Sequence, residues 1–137
     1  MFTDLFPHLI DYIETSPPTE DYNCIAWAFR DNTKWWWPNE GTFWPTGIRC
    51  DETIEAFDEL FSSGGAFVAA NEDVEIGVIK IALFALNGKP THAARQLQNG
   101  QWTSKMGKGE DIAHPLRHLE HGYYGIVSRI YGIRVPI

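Results

Sequence analysis

Basic residues are scarce in this chain. Eleven Lys and Arg stand against eighteen Asp and Glu, for a net charge of −7, and the basic residues are scattered without a run. Nucleic acids and anionic membranes both reward clustered Lys and Arg, so neither is expected as a partner. Cysteine is scarcer still: Cys24 and Cys50 are the two present, with no CxxC and no HExxH. That excludes a disulfide scaffold and a recognisable zinc motif, and no cofactor is called for. Of five histidines only His114 and His118 are spaced i,i+4, with His121 next, and they read as surface histidines on a charged helix. Long apolar runs are missing too. The longest, Val78 to Leu86, is interrupted by Lys80 and has the length of a strand, not of a bilayer span. The N-terminus has neither a basic n-region nor an apolar h-region, so the expectation is a cytoplasmic protein with reduced thiols.

What is present is a globular composition. The 137 residues are 44% hydrophobic and 14% aromatic, which argues against disorder and for a single domain with its own core. Phe2, Leu5, Phe6, Leu9, Ile10 and Ile13 recur at helical spacing, predicting a helix over 2–14 that "SPPTE" stops. A second helix is expected to open at Asp21 or Tyr22 and run to Arg30. "DNTKWWWPNEGTFWPTG" holds four tryptophans, two prolines and two glycines and reads as an ordered aromatic loop. A third helix is predicted over 51–61, with Asp51 as N-cap and Ile54, Phe57, Leu60 and Phe61 on one stripe.

After Gly65 the pattern turns to strands: "AFVAA", then "VIKIALFAL" over 78–86, then an "NGKP" turn. "THAARQL" and "QWTSK" follow as a hairpin around "QNG". Residues 110–120 suggest a short helix, and "YGIVSRIYGIRV" suggests one or two closing strands. The order is helices first, then a mainly antiparallel sheet, an α+β arrangement.

One constellation carries chemistry. Cys24 in "YNCIAWAF" begins an apolar helix, where free N–H groups favour thiolate and the Cys24 N–H points where an oxyanion would form. His92 begins a strand beside Ala93 and Ala94, which leave room for its ring. If "QNG" is a three-residue loop, Leu97 faces Gln101 and Ala94 faces Ser104. Ser104 then lies diagonal to His92 on the same face, a candidate to orient the imidazole. Asp111 in "GKGEDIAH" is the alternative orienter, and His114 a second-choice base. Tyr22 and Asn23 flank the nucleophile as candidate oxyanion donors, and Lys105 is a candidate for a substrate carboxylate. Trp35, Trp36, Trp37 and Trp44 have two readings: platforms for a bound sugar or base, or a small core closed over the cysteine helix. Cys50 reads as a bystander.

A cysteine opening a helix, a strand-borne histidine, and a polar residue twelve positions on across a tight hairpin resemble the papain-like cysteine hydrolases. Residues 21–106 are most similar to the compact NlpC-type and cysteine-histidine amidohydrolase/peptidase branch. The resemblance implies helices packed on an antiparallel sheet and a thiol amidase or peptidase acting on peptide or other amide substrates, often peptidoglycan peptides. Deamidation and acyl transfer suit the same site. In that branch the third position is commonly His, Asn, Asp, Gln or Glu, and here it is Ser104. "YNCIAWA", "WWWP", "PTHAARQL" and "WTSKMG" also resemble a group of small uncharacterised bacterial proteins. A non-catalytic binding module of the same fold, using the tryptophan loop, is the competing expectation.

Overall fold

The computed structural model of the chain describes residues 2–135. They form an α+β fold around a seven-stranded antiparallel sheet. The strands are β1 (Ile13–Ser16), β2 (Ala66–Val68), β3 (Val78–Leu86), β4 (Lys89–Gln96), β5 (Trp102–Lys105), β6 (Asp111–His114) and β7 (Ile126–Arg134). Their order across the sheet is β1-β6-β5-β4-β3-β7-β2. The helices are α1 (Phe2–Leu5), α2 (Cys24–Ala28) and α3 (Ile54–Ser63).

β3 is central and covered on both faces, which explains its nearly unbroken apolar sequence. Ile81 and Leu83 point toward α2 and α3, in a cluster with Ile25, Phe57, Leu60 and Phe61. Ala82 and Phe84 point the other way, into a cluster with Phe6, Leu9, Trp102, Ile112, Leu116 and Tyr124. Lys80 is fully buried within this strand. Its ammonium donates to the carbonyls of Asn71 and Asp73 and pairs with Glu75 at 3.0 Å, so the loop before β3 wraps the charge.

Both hairpins follow from their turn residues. Asn87 and Gly88 take positive φ (53° and 80°) between β3 and β4, as a two-residue turn with right-handed strand twist requires. Leu97 N–H donates to the Gln101 carbonyl at 2.7 Å, closing the "QNG" loop in the expected register. β7 is one continuous strand.

The helix predicted over 2–14 is cut to α1, because Pro7 cannot continue it, and Ile13–Ser16 instead pairs with β6. Of its apolar positions Phe6 and Leu9 are buried, whereas Ile10 and Ile13 are exposed. The second helix starts at Cys24 with Asn23 as its cap. The third starts at Ile54 and is capped by Thr53, whose hydroxyl in turn donates to Asp51. The short helix expected at 110–120 is the strand β6, then Pro115, then a 3-10 turn over Leu116–Leu119. Alternation in "DIAH" and the block at Pro115 favour that outcome, and His114 is consequently buried rather than on the surface. Among the described residues no helix is long and apolar enough to cross a membrane.

Candidate active site

β4 presents His92 and Ala94 to one face of the sheet and Ala93 and Arg95 to the other. On the first face His92 Nε2 lies 2.9 Å from Ser104 Oγ, the contact the hairpin register requires. Ser104 Oγ lies 2.7 Å from His114 Nε2, and His114 Nδ1 lies 2.8 Å from the Pro115 carbonyl. A carbonyl only accepts, so His114 Nδ1 carries the proton. His114 is neutral at ordinary pH, because burial pushes its pKa down to about 4. Its Nε2 must therefore accept, which makes Ser104 the donor to His114 and leaves Ser104 Oγ to accept from His92 Nε2–H. His92 Nδ1 is then a bare lone pair, buried and without a hydrogen-bond partner. Burial, and next the neighbouring His114, hold the His92 pKa well below the usual histidine range. Sequence reasoning gave His114 only a secondary part and missed that it faces Ser104. The signal was the two-residue period of "DIAH".

Tyr124 is a further missed residue. Its ring stacks on His92 at 4.0 Å between centroids and 5° between planes. It is placed by Thr91 Oγ1, which donates to its carbonyl, and by Gly125 at φ +81°. A Cβ on Gly125 would meet the Ala85 carbonyl oxygen at 2.0 Å. Gly125→Ala is therefore expected to cost about 3 kcal/mol or more in urea unfolding, through backbone displacement and a strained φ together.

Cys24 belongs to the opposite cluster, on the helix-bearing face with Ala93 and Ile25. The ladder between β4 and β5 pairs Arg95 with Thr103 and Gln96 with Trp102 and goes no further toward His92. Where the strands part, the Ala93 N–H, next to His92 in the chain, is the strongest of the groups that favour the Cys24 thiolate. Burial pushes the Cys24 thiol up to about 11, against the lowering effect of the N–H groups of Ala93, Ile25 and Cys24 and the charge of Lys105. The sequence reading expected the reverse. α2 has only five residues and little dipole, and desolvation wins. Since His92 Nδ1 is unpartnered, Cys24 and His92 are not hydrogen-bonded to each other.

The remaining candidates are engaged elsewhere. Asp111 accepts from the Tyr22 hydroxyl and does not reach His92, because β6 sends it to the helix side beside Lys105. Lys105 is fully buried and donates to the carbonyls of Thr19, Gly107 and Gly109, which uses all three of its protons. Trp36 donates to Asp31 and stacks on Phe29, while Trp37 and Trp44 pack on Phe57 and Trp35 donates to the Glu20 carbonyl. The loop thus closes over the helices. Cys50 is exposed and, like Cys24, free.

Asn23 anchors that loop. Its Oδ1 accepts from Ala26 N–H at 3.2 Å and Trp36 N–H at 3.0 Å, and its Nδ2 donates to the Trp36 carbonyl at 2.7 Å. Asn23→Ala is expected to destabilise by about 2–3 kcal/mol, since it removes a cap and strands two half-buried backbone groups of Trp36. Urea unfolding measures this, and a cost within 0.5 kcal/mol (about the scatter of surface substitutions) contradicts it.

Among the described residues no group of three or more His, Cys, Asp or Glu side chains is placed to hold a metal ion. Two clefts of about 440 and 160 Å³ are lined by other residues than Cys24 and His92. A family model described as a domain of unknown function, DUF7689, matches residues 13–132. No curated protein and no solved structure matches the chain.

Proposed function

The chain belongs to the DUF7689 family, and from its site we propose that it is a cysteine-dependent hydrolase of amide bonds on a papain-like frame. The observation that carries the reading is the His92 imidazole: its Nε2–H is held by Ser104 and its bare Nδ1 is kept unpartnered, one residue from the Ala93 N–H that favours the Cys24 thiolate. A buried acceptor left without a donor is costly in a core and useful in a base.

In the resting enzyme thiol and imidazole are both neutral, given a thiol pushed up to about 11 and a histidine held low. The mechanism is accordingly general-base rather than ion-pair. At rest Cys24 and His92 lie on opposite faces of β4, so the edge where β4 and β5 part must open before Cys24 Sγ reaches His92 Nδ1. The S–H proton passes to Nδ1 as sulfur attacks the amide carbonyl carbon. The tetrahedral oxyanion collapses, the C–N bond breaks, and Nδ1–H protonates the departing amine. Water then attacks the thioester with Nδ1 as base, releasing the acid and restoring the thiol. Ser104 keeps His92 in the required tautomer, and His114 keeps Ser104 oriented as an acceptor. Cys24 is 7% and His92 0% exposed, so substrate must part the strands or the Tyr124 loop to enter.

Wild type and Cys24→Ala, incubated with peptidoglycan peptides and with a cytosolic extract, test the proposal. A cleaved amide product and an acyl adduct on Cys24 are expected for wild type alone. Product made equally by both proteins overturns the proposal, as does the absence of adduct and product from wild type. In a Cys50→Ser background, alkylation of Cys24 by iodoacetamide is expected to rise with pH through about 11, not through the free-thiol value of about 8.5. The same raised thiol favours the second reading, a non-catalytic module with Cys24 as packing, which gives no adduct at any pH where the fold survives.

A further inference from the structure

The cleft of about 160 Å³ lies on the helix side of the sheet, beyond the C-terminal end of α2. Phe29, Ile79 and Ile133 make its walls apolar, and two arginines, Arg30 and Arg95, stand in its lining. Neither has a carboxylate within ion-pair distance among the described residues, in a chain with more acids than bases. Arg117 in the larger cleft makes the contrast, since it is paired with both Glu72 and Glu120.

Arg95 is fixed. Its guanidinium rests 5.1 Å over the Trp27 ring, whose Nε1 is tied to Thr103, and its Nε is buried with no acceptor. A buried cationic donor without an acceptor is strongly unfavourable unless something else supplies one. Arg30 is exposed, and its backbone is placed by the end of α2. Arg30 N–H donates to the Trp27 carbonyl and Asp31 N–H to the Ala26 carbonyl, both at 2.9 Å, which is the Schellman closure of a helix. The position between them needs left-handed backbone, and Arg30 holds it at φ 61° where glycine is the unstrained residue. Burial and then the charge of Arg30 lower the Arg95 pKa, against a smaller opposing influence of Asp111, which is not within ion-pair distance.

We propose that Arg30 and Arg95 bind the carboxylate of a small organic anion whose compact apolar body fills the cleft between α2 and β3. The volume matches one aromatic ring or a short branched acyl chain. The carboxylate supplies Arg95 Nε with its missing acceptor and relieves the repulsion between the two cations. The site does not involve Cys24 or His92, and its test reads binding alone.

Benzoate, with benzamide as its neutral isostere, is the probe, and titration calorimetry is the readout. One benzoate per chain is expected, bound at least about 10-fold more tightly than benzamide. Arg95→Met keeps the stem over Trp27 and is expected to weaken benzoate at least about 10-fold. Arg30→Gly is expected to weaken benzoate similarly while raising the melting temperature, because it removes the backbone strain and the repulsion. That opposite movement separates a ligand role from a structural one, and this variant does not depend on the tolerance of the core at Arg95. Benzoate binding no tighter than benzamide, or unchanged in both variants, overturns the proposal, and so does saturable inorganic phosphate binding without benzoate binding.

Discussion

Lowering the pH from 7 to 5 is expected to cost the folded state about 4 kcal/mol through two histidines alone. His92 and His114 are both wholly buried, and both have lowered pKa values, to about 4 for His114 and well below the usual range for His92. In the unfolded chain both take a proton near pH 6.5. The stability they contribute is complete above that value and falls as the pH drops, because the unfolded state gains two protons that the native state refuses. Each uncharged histidine makes stability fall by about 1.4 kcal/mol per pH unit, until His114 itself protonates near pH 4. The loss is a large part of the margin of an ordinary domain, about 5–15 kcal/mol. Urea midpoints between pH 7 and 5 measure it. His114→Gln, which keeps an acceptor for Ser104, is expected to remove about half of the slope. A midpoint flat across this range would mean that the histidine pair is charged or exposed.

Cys24→Ala and His92→Ala are each expected to lower kcat/KM by at least about 10³-fold on an amide substrate found by profiling. The double variant is expected to be no worse than the weaker single one, since a base without its nucleophile has nothing to activate. Ser104→Ala should fall between, because it removes the acceptor that holds the His92 tautomer and leaves Nδ1 carrying the proton part of the time. The acid limb of the rate profile in wild type is expected well below pH 6.5, where His92 finally protonates and ceases to be a base. A loss below about 10-fold for His92→Ala, or strictly multiplicative losses in the double variant, would remove His92 from the chemistry.

Much of this molecule is local and therefore visible in the residues. "VIKIALFAL" is a strand because β-formers crowd a stretch too short for a buried helix, and β3 has those bounds. The three-residue loop at "QNG" places Ser104 beside His92 by counting alone, and the 2.9 Å contact follows. Two further positions were decided by a non-local partner. Helical spacing over 2–14 was real for Phe6 and Leu9, but pairing with β6 claimed Ile13–Ser16. Asp111 was within plausible reach of His92 until β6 turned it toward Tyr22.

The sequence by itself determined the strands from β3 to β5, the hairpin register and the pairing of His92 with Ser104, all set by propensity, turn chemistry and the two-residue period of a strand. Only the tertiary structure decided the protonation of the site. Burial sets the charge state of a thiol or an imidazole, and burial depends on which distant elements cover it. Cys24, expected to be favoured as a thiolate at a helix start, is instead neutral, buried in the cluster it shares with α3 and the tryptophan loop. His114, expected on the surface, is the buried group that turns a serine into an acceptor for His92.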